Sequence, residues 1–184
     1  MKRFLVLTFA LVFALGITHL AMAKEDNPLR AQEKKVNDSF ASVIPADRII
    51  GVDQFYRVYQ DVMAGKKRAY LIDVRTHPEF YAFHIEGTDH VHAGHMYTIP
   101  KKIKDPNAEI YIWCRTSKRA KYVAGFLYKY GYKNVWLYNE GVVGWAKAGH
   151  PFVNQFTGKF KIIEYRKSPS AEERSFRLRE FHPY

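Results

Sequence analysis

Three short apolar runs, Ala69-Tyr-Leu-Ile-Asp73, Ile110-Tyr-Ile-Trp113 and Val135-Trp-Leu-Tyr138, constrain the fold more than any other feature, because helix signals precede or follow each of them. Runs this short without polar alternation read as strands buried on both faces. Asp53 can cap a helix in which Phe55, Val58, Tyr59, Val62 and Met63 recur at helical spacing, ending near Gly65. Pro78 to Phe83 reads as a helix of one to two turns opened by proline, and Ser117 to Tyr130 as a longer one closed by Gly131. Residues 139–149 carry Gly141, Gly144 and Gly149 and read as turn-rich. Strands alternating with helices imply an α/β fold, a small parallel sheet with helices on both faces. The loops at the carboxyl ends of such strands build the site, which places Asp73 to Arg75 and Cys114 to Arg119 on the same edge.

Cys114 is the only cysteine of the 184 residues, and it stands where an apolar strand gives way to the polar loop Cys114-Arg-Thr-Ser-Lys-Arg119. A thiol there meets consecutive backbone N–H groups, a helix N-terminus and the cations Arg115, Lys118 and Arg119, all of which favour a thiolate and would hold an anionic substrate. The plainer alternative is a small buried apolar cysteine, against which the three neighbouring cations argue. Asp73 and Arg75 read as an internal ion pair that fixes the strand end, the alternative being direct substrate contact by Arg75. Trp145 reads as core or pocket wall, and Thr116 and Ser117 as loop hydroxyls able to cap the following helix.

Leu71-Ile-Asp-Val-Arg75, Glu79-Phe80, His84-Ile-x-Gly87, the Cys114 loop and Gly141-x-x-Gly-Trp145-x-x-x-Gly149-His-Pro151 follow one another in order. From about Ile49 to Phe152 the chain thereby resembles a single-domain rhodanese, and five ordered motifs are more specific than any one. The resemblance implies a rhodanese-like α/β fold and a thiosulfate sulfurtransferase-like activity in which Cys114 carries sulfane sulfur as a persulfide. It makes Arg115, Thr116, Ser117, Lys118 and Arg119 the cradle for the substrate. The chemistry stands on the residues as well: a thiolate attacking the outer sulfur of thiosulfate expels sulfite, and neither a general base nor a cofactor is required. The acceptor stays open between cyanide, a dithiol and a partner protein, and so does a second class of function, a persulfide carrier or a metal- or partner-binding module without useful turnover. Phosphatases and arsenate reductases of related fold carry a longer Cys-x5-Arg loop, whereas here the spacing is Cys-x4-Arg and the longer position holds Ala120.

Met1-Lys-Arg3, the apolar stretch Phe4 to Ile17 and the small-x-small Ala21-Met-Ala23 make residues 1–23 a secretory signal peptide, cleaved after Ala23. The apolar stretch falls short of the roughly 20 residues of a membrane span, so no transmembrane segment is expected after cleavage and the protein is expected in the periplasm or secreted. In that oxidising space an unpartnered thiol suits a sulfur adduct. The formal net charge of +11 becomes +9 once Lys2 and Arg3 leave with the signal, 27 Lys and Arg against 18 Asp and Glu. Such a balance fits a small anionic sulfur donor, an acidic periplasmic partner or a membrane surface better than nucleic acid, for which no motif is present, with a solvated basic surface as the plainer alternative. Residues 24–47 read as a loosely structured arm, 48–153 as the domain, and 154–184 as a C-terminal extension with an edge strand or hairpin over Phe156–Tyr165 and a charged tail over 166–184. Between His84 and Pro100 the chain is longer than the family pattern. Residues 88–97 there hold His90, His92 and His95, beside Asp89 and downstream of His77 and His84. Three readings stay open for them: Zn²⁺ or Cu²⁺ ligands, a polar surface loop, or a lip over the cysteine pocket.

Overall fold

The computed structural model describes residues 27–163; the signal peptide expected at 1–23 and the charged tail read at 166–184 lie outside the described residues. The chain divides into two compact units, Met1–Ser39 and Phe40–Tyr184. The arm expected at 24–47 is instead largely helical, with α1 spanning Pro28–Ala41. Local polar contacts hold this helix together: Asn27 Oδ1 accepts from the Leu29 N–H at 3.0 Å, and Lys34 pairs with Asp38 one turn on at 2.6 Å.

In the second unit the chain runs β1 (Ile49–Ile50), α2 (Val52–Met63), β2 (Tyr70–Asp73), α3 (His77–Ala82), β3 (Asp89–His90), α4 (Ile99–Lys102), β4 (Ile110–Trp113), α5 (Lys118–Tyr130), β5 (Val135–Tyr138), α6 (Gly141–Lys147), β6 (Phe152–Asn154) and β7 (Gly158–Phe160). The first five strands form one sheet in the order β1-β5-β4-β2-β3. All four pairings are parallel, as the helices between successive strands require. The central strand β4 is buried throughout because it feeds both cores. Ile110 and Ile112 pack with Val123, Ala124 and Leu127 of α5, whereas Tyr111 and Trp113 join Phe55, Tyr138 and Trp145 on the opposite face. Trp145 is therefore core rather than pocket wall, its Nε1 donating to the Pro151 carbonyl at 2.8 Å.

Three further expectations change. Gly51, not Asp53, is the N-cap of α2, and the cap contact comes from far along the chain: Glu140 Oε1 accepts from the Val52 N–H at 3.2 Å, while Asp53 lies in the first turn. Residues expected to be turn-rich form α6, whose glycines permit close approach rather than a turn. The His-bearing segment is not merely a surface loop. Its β3 pairs Ile72 with Asp89 and Asp73 with His90 at the sheet edge, and a 3-10 turn, Ala93–Thr98, follows. The segment after Pro151 is a hairpin, β6 against β7. Among the described residues no helix is long and apolar enough to cross a membrane.

Candidate functional site: a cysteine cradle at the sheet edge

Cys114 leaves β4 at the carboxyl edge of the sheet, is 1% exposed, and accepts the Ser117 N–H on its Sγ at 3.3 Å. To aim that N–H the backbone turns sharply. Ser117 has φ +113°, the only non-glycine residue in the left-handed region among those described. Ser117 stands at the N-cap position of α5, but its side chain does not cap the helix, contrary to the sequence expectation; a hydroxyl carried on so unusual a backbone is not aimed at the first turn.

The start of α6 holds the loop from behind. Val142 N–H donates to the Cys114 carbonyl at 3.1 Å and Val143 N–H to that of Arg115 at 3.3 Å, so carbonyls are drawn away from the sulfur. Gly141 makes this contact possible, because it has φ +57° and a Cβ there would lie 2.3 Å from the Cys114 carbonyl oxygen. Arg115, Thr116 and Lys118 are exposed around the loop, and Arg119 is half-buried.

Arg119 is not the isolated cation that the sequence suggests. Its guanidinium forms a bidentate pair with Glu79 of α3, at 2.6 and 2.8 Å. Glu79 is itself fixed by a capping box, accepting from Thr76 N–H at 3.0 Å and Thr76 Oγ1 at 2.8 Å. The Arg119 bond first, and the Thr76 bonds after it, hold the Glu79 carboxyl down at about 2 against the opposing pull of burial. Arg119 also interacts with the Cys114 sulfur, which adds to the larger effect of Glu79 in keeping the guanidinium charged. Glu79 is the functional neighbour that sequence reasoning missed as such. Thr76-x-x-Glu79 was readable as a capping box, but its reach to a residue 40 positions away was not.

Asp73 and Arg75 form a buried ion pair, 0 and 1% exposed, with Nη2 to Oδ2 at 2.7 Å and Nε to the same oxygen at 2.8 Å. The remaining Arg75 donors hold α3, Nη1 to the Glu79 carbonyl at 3.0 Å and Nη2 to that of Phe83 at 2.6 Å. A polar chain thus runs from the end of β2 through α3 to Arg119 and the sulfur, and Arg75 faces protein rather than solvent.

The histidines gather on the flank of this chain. His90 Nε2 donates to the Arg75 carbonyl at 2.8 Å, since a carbonyl can only accept, and its ring stacks on Phe80 at 4.4 Å. His92 Nδ1 accepts the Gly94 N–H at 3.2 Å. Burial, then the neighbouring His95, His77 and His90 and finally Arg119, hold the His92 imidazole below the usual histidine range. Among the described residues, no group of three or more His, Cys, Asp or Glu side chains could hold a metal ion.

A parallel α/β sheet that presents one buried cysteine in a backbone cradle beside a helix N-terminus defines a class of small thiol-bearing domains. The chain belongs to the rhodanese-like domain family, which matches residues 57–148, half of its length. Membership supports a function of the sulfur-transfer type. Among solved structures, a polysulfide-sulfur transferase homodimer from Wolinella succinogenes is similar at 19% identity and TM-score 0.55, covering 73% of this chain and 96% of that one. A protein from Rhodopseudomonas palustris described as a possible tyrosine phosphatase is similar at 18% identity and TM-score 0.53, covering 64% and 91%. A thiosulfate sulfurtransferase from Pseudomonas aeruginosa reaches 19% identity and TM-score 0.48, covering 70% of this chain and 25% of that one. At these identities the likeness concerns the fold. No curated protein matches the chain.

Proposed function

We propose that the protein is an exported sulfurtransferase that takes sulfane sulfur from thiosulfate or a similar anionic donor and hands it to a thiophilic acceptor. The Cys114 thiolate attacks the outer sulfur of thiosulfate; the S–S bond of the donor breaks, its electron pair leaves with sulfite, and the enzyme holds a persulfide. Cyanide, a dithiol or a partner thiol then attacks the outer sulfur of the persulfide and regenerates the thiolate. The observation that carries this reading is the Ser117 N–H directed at Cys114 Sγ, since a donor fixed there stabilises negative charge on sulfur before and after transfer. Arg115 and Lys118, exposed on the loop, serve as the attracting cations, and Arg119 as a fixed guanidinium beside the sulfur. Asp73 and Arg75 act as support, since neither is exposed enough to meet a donor.

The burial of Cys114 and the neutralisation of Arg119 by Glu79 favour one second reading, a persulfide carrier that serves a partner protein and turns over small donors slowly. Ala120, fully buried at the position where a phosphatase loop places its arginine, speaks against phosphate ester hydrolysis.

Thiosulfate-to-cyanide transfer by wild type and Cys114→Ser, with intact mass recorded after thiosulfate alone, tests the proposal. Thiocyanate formation that vanishes in the variant supports the enzyme, and a one-sulfur mass gain without turnover supports the carrier. Absence of both signals, or transfer that survives the substitution, defeats the reading. Expression of the whole sequence in a secreting host adds the leader to the same mass measurement: a mature chain beginning at Lys24 is expected, and retention of residues 1–23 argues against export.

A further inference from the structure

The His-bearing segment continues past the end of β3 alongside the ends of β2 and β4. Val74 N–H donates to the Trp113 carbonyl at 2.9 Å, and the N–H groups of Val91 and Ala93 donate to the carbonyls of Asp73 and Val74, both at 3.1 Å. His92 thereby stands on the same carboxyl edge as Cys114, two strands away at about 4.8 Å per strand. Ala93 and Met96 pack on the core that includes Cys114 and Ala120, and the 3-10 turn lies against α5, the helix that follows the cysteine loop. Arg119, at the start of that helix, is already engaged: its guanidinium donates twice to Glu79 and also meets the Cys114 sulfur. The sulfonate oxygens of an incoming thiosulfate therefore need a further N–H.

His92 has one to give. Its Nδ1 accepts the Gly94 N–H at 3.2 Å, and a ring nitrogen that accepts carries no proton, so the neutral imidazole keeps its proton on Nε2. Burial first, and then His95, His77, His90 and Arg119, keep this ring neutral near pH 7. The charge of Arg119 reaches the ring, so an anion that approaches Arg119 approaches His92 as well. We propose that the Nε2–H of His92 binds the sulfonate of the sulfur donor, and that it selects thiosulfate and thiosulfonates over persulfides and polysulfides, which carry no oxyanion beside the sulfur to be transferred. When Cys114 takes the outer sulfur, the donor's S–S bond breaks with its electron pair on sulfite. Charge on the sulfonate oxygens grows as it does, and an N–H fixed there favours the departure. His90 has no part in this, since its Nε2–H is held by the Arg75 carbonyl and its face by Phe80.

The inference rests on the sulfur-transfer reading for its choice of ligand, but its first test needs no turnover. His92→Asn is the decisive variant, because Asn Oδ1 accepts the Gly94 N–H in place of Nδ1 and keeps the turn capped, while its amide stops short of the Nε2 position. Thiosulfate is titrated by calorimetry into Cys114→Ser and into the same protein carrying His92→Asn, and binding at least tenfold weaker in the second is expected. With Cys114 intact, His92→Asn should lower kcat/KM for thiosulfate at least tenfold and leave kcat/KM for cyanide, and for glutathione persulfide as donor, within about twofold of wild type. His92→Gln, whose amide N–H reaches farther, should recover part of the loss. A purely structural His92 would instead be replaced by Asn without effect, or would lower transfer from both donors alike, and either result overturns the inference. So does thiosulfate binding that is absent or indifferent to His92→Asn. Thermal unfolding reports whether the turn is intact; should His92→Asn melt below wild type, His92→Gln against His92→Leu decides by the same tenfold criterion. Thiocyanate formation with binding indifferent to His92 defeats the inference and leaves the sulfur-transfer reading standing, whereas His92-dependent binding without sulfur transfer by wild type defeats that reading and supports the oxyanion site.

Discussion

Glu79 has two partners, the Thr76 cap at the start of its own helix and the Arg119 guanidinium beside the sulfur. Both bonds require the carboxylate, so protonation weakens the helix start and the cradle together. The folded carboxyl titrates at about 2 against an ordinary value of 4.5, so its stabilisation is complete above pH 4.5 and is lost as pH falls toward 2. Acid unfolding should therefore depend less steeply on pH in Glu79→Gln than in wild type across that window, as followed by circular dichroism. Above the window the same variant should be less stable by about 1 kcal/mol, the order of a cap and a partly exposed ion pair. With thiosulfate it should show a lower KM, because Arg119 regains an uncompensated charge, and a lower kcat, because the guanidinium is no longer held toward the sulfur. An unchanged KM and kcat would remove Glu79 from the site. The pairing with Arg119 was not legible from the sequence, since nothing in local spacing links a helix cap to a cation 40 residues on. Cys114, by contrast, was legible because strand end, polar loop and helix start all show locally.

Helix α6 works on the cysteine loop from the far side, through one glycine. Gly141→Ala would place a Cβ 2.3 Å from one carbonyl and 2.6 Å from the next, on a backbone with φ +57°. The left-handed conformation alone costs roughly 1–2 kcal/mol for an alanine, and the contact with backbone oxygens adds to it. A Tm lowered by several degrees and a sulfur-transfer rate reduced at least tenfold are expected, and a normal rate would mean that α6 does not shape the cradle. The same glycines explain why α6 was misread. Gly141 and Gly144 lower helix propensity, and what settles the helix is burial of Val142 and Trp145 in a core that no local window shows. Helix α1 escaped for the opposite reason, since its polar sequence carries neither an apolar stripe nor an acidic first turn. The strands β2, β4 and β5 were read correctly to within a residue, because a parallel sheet covered on both faces leaves continuous apolar runs.

Across the whole molecule, strand–helix alternation was sufficient for the parallel sheet and for the edge on which the chemistry sits, while the strand order depends on long-range packing. The net charge, +11 for the entire chain and +9 without Lys2 and Arg3 of the expected leader, also acts on any anionic donor before contact. The kcat/KM for thiosulfate should accordingly fall severalfold between low ionic strength and about 0.2 M salt while kcat changes little, since screening shortens the reach of the field to about 10 Å or less. A salt-independent kcat/KM would show that local loop contacts alone capture the donor. The sheet itself ends on both sides in strands of two residues, Ile49–Ile50 and Asp89–His90, and the second carries a charged side chain and an imidazole. So little free backbone at either margin gives a neighbouring chain almost nothing to extend, and the α/β unit is thereby protected from growing into filaments by strand addition, even when crowded with copies of itself.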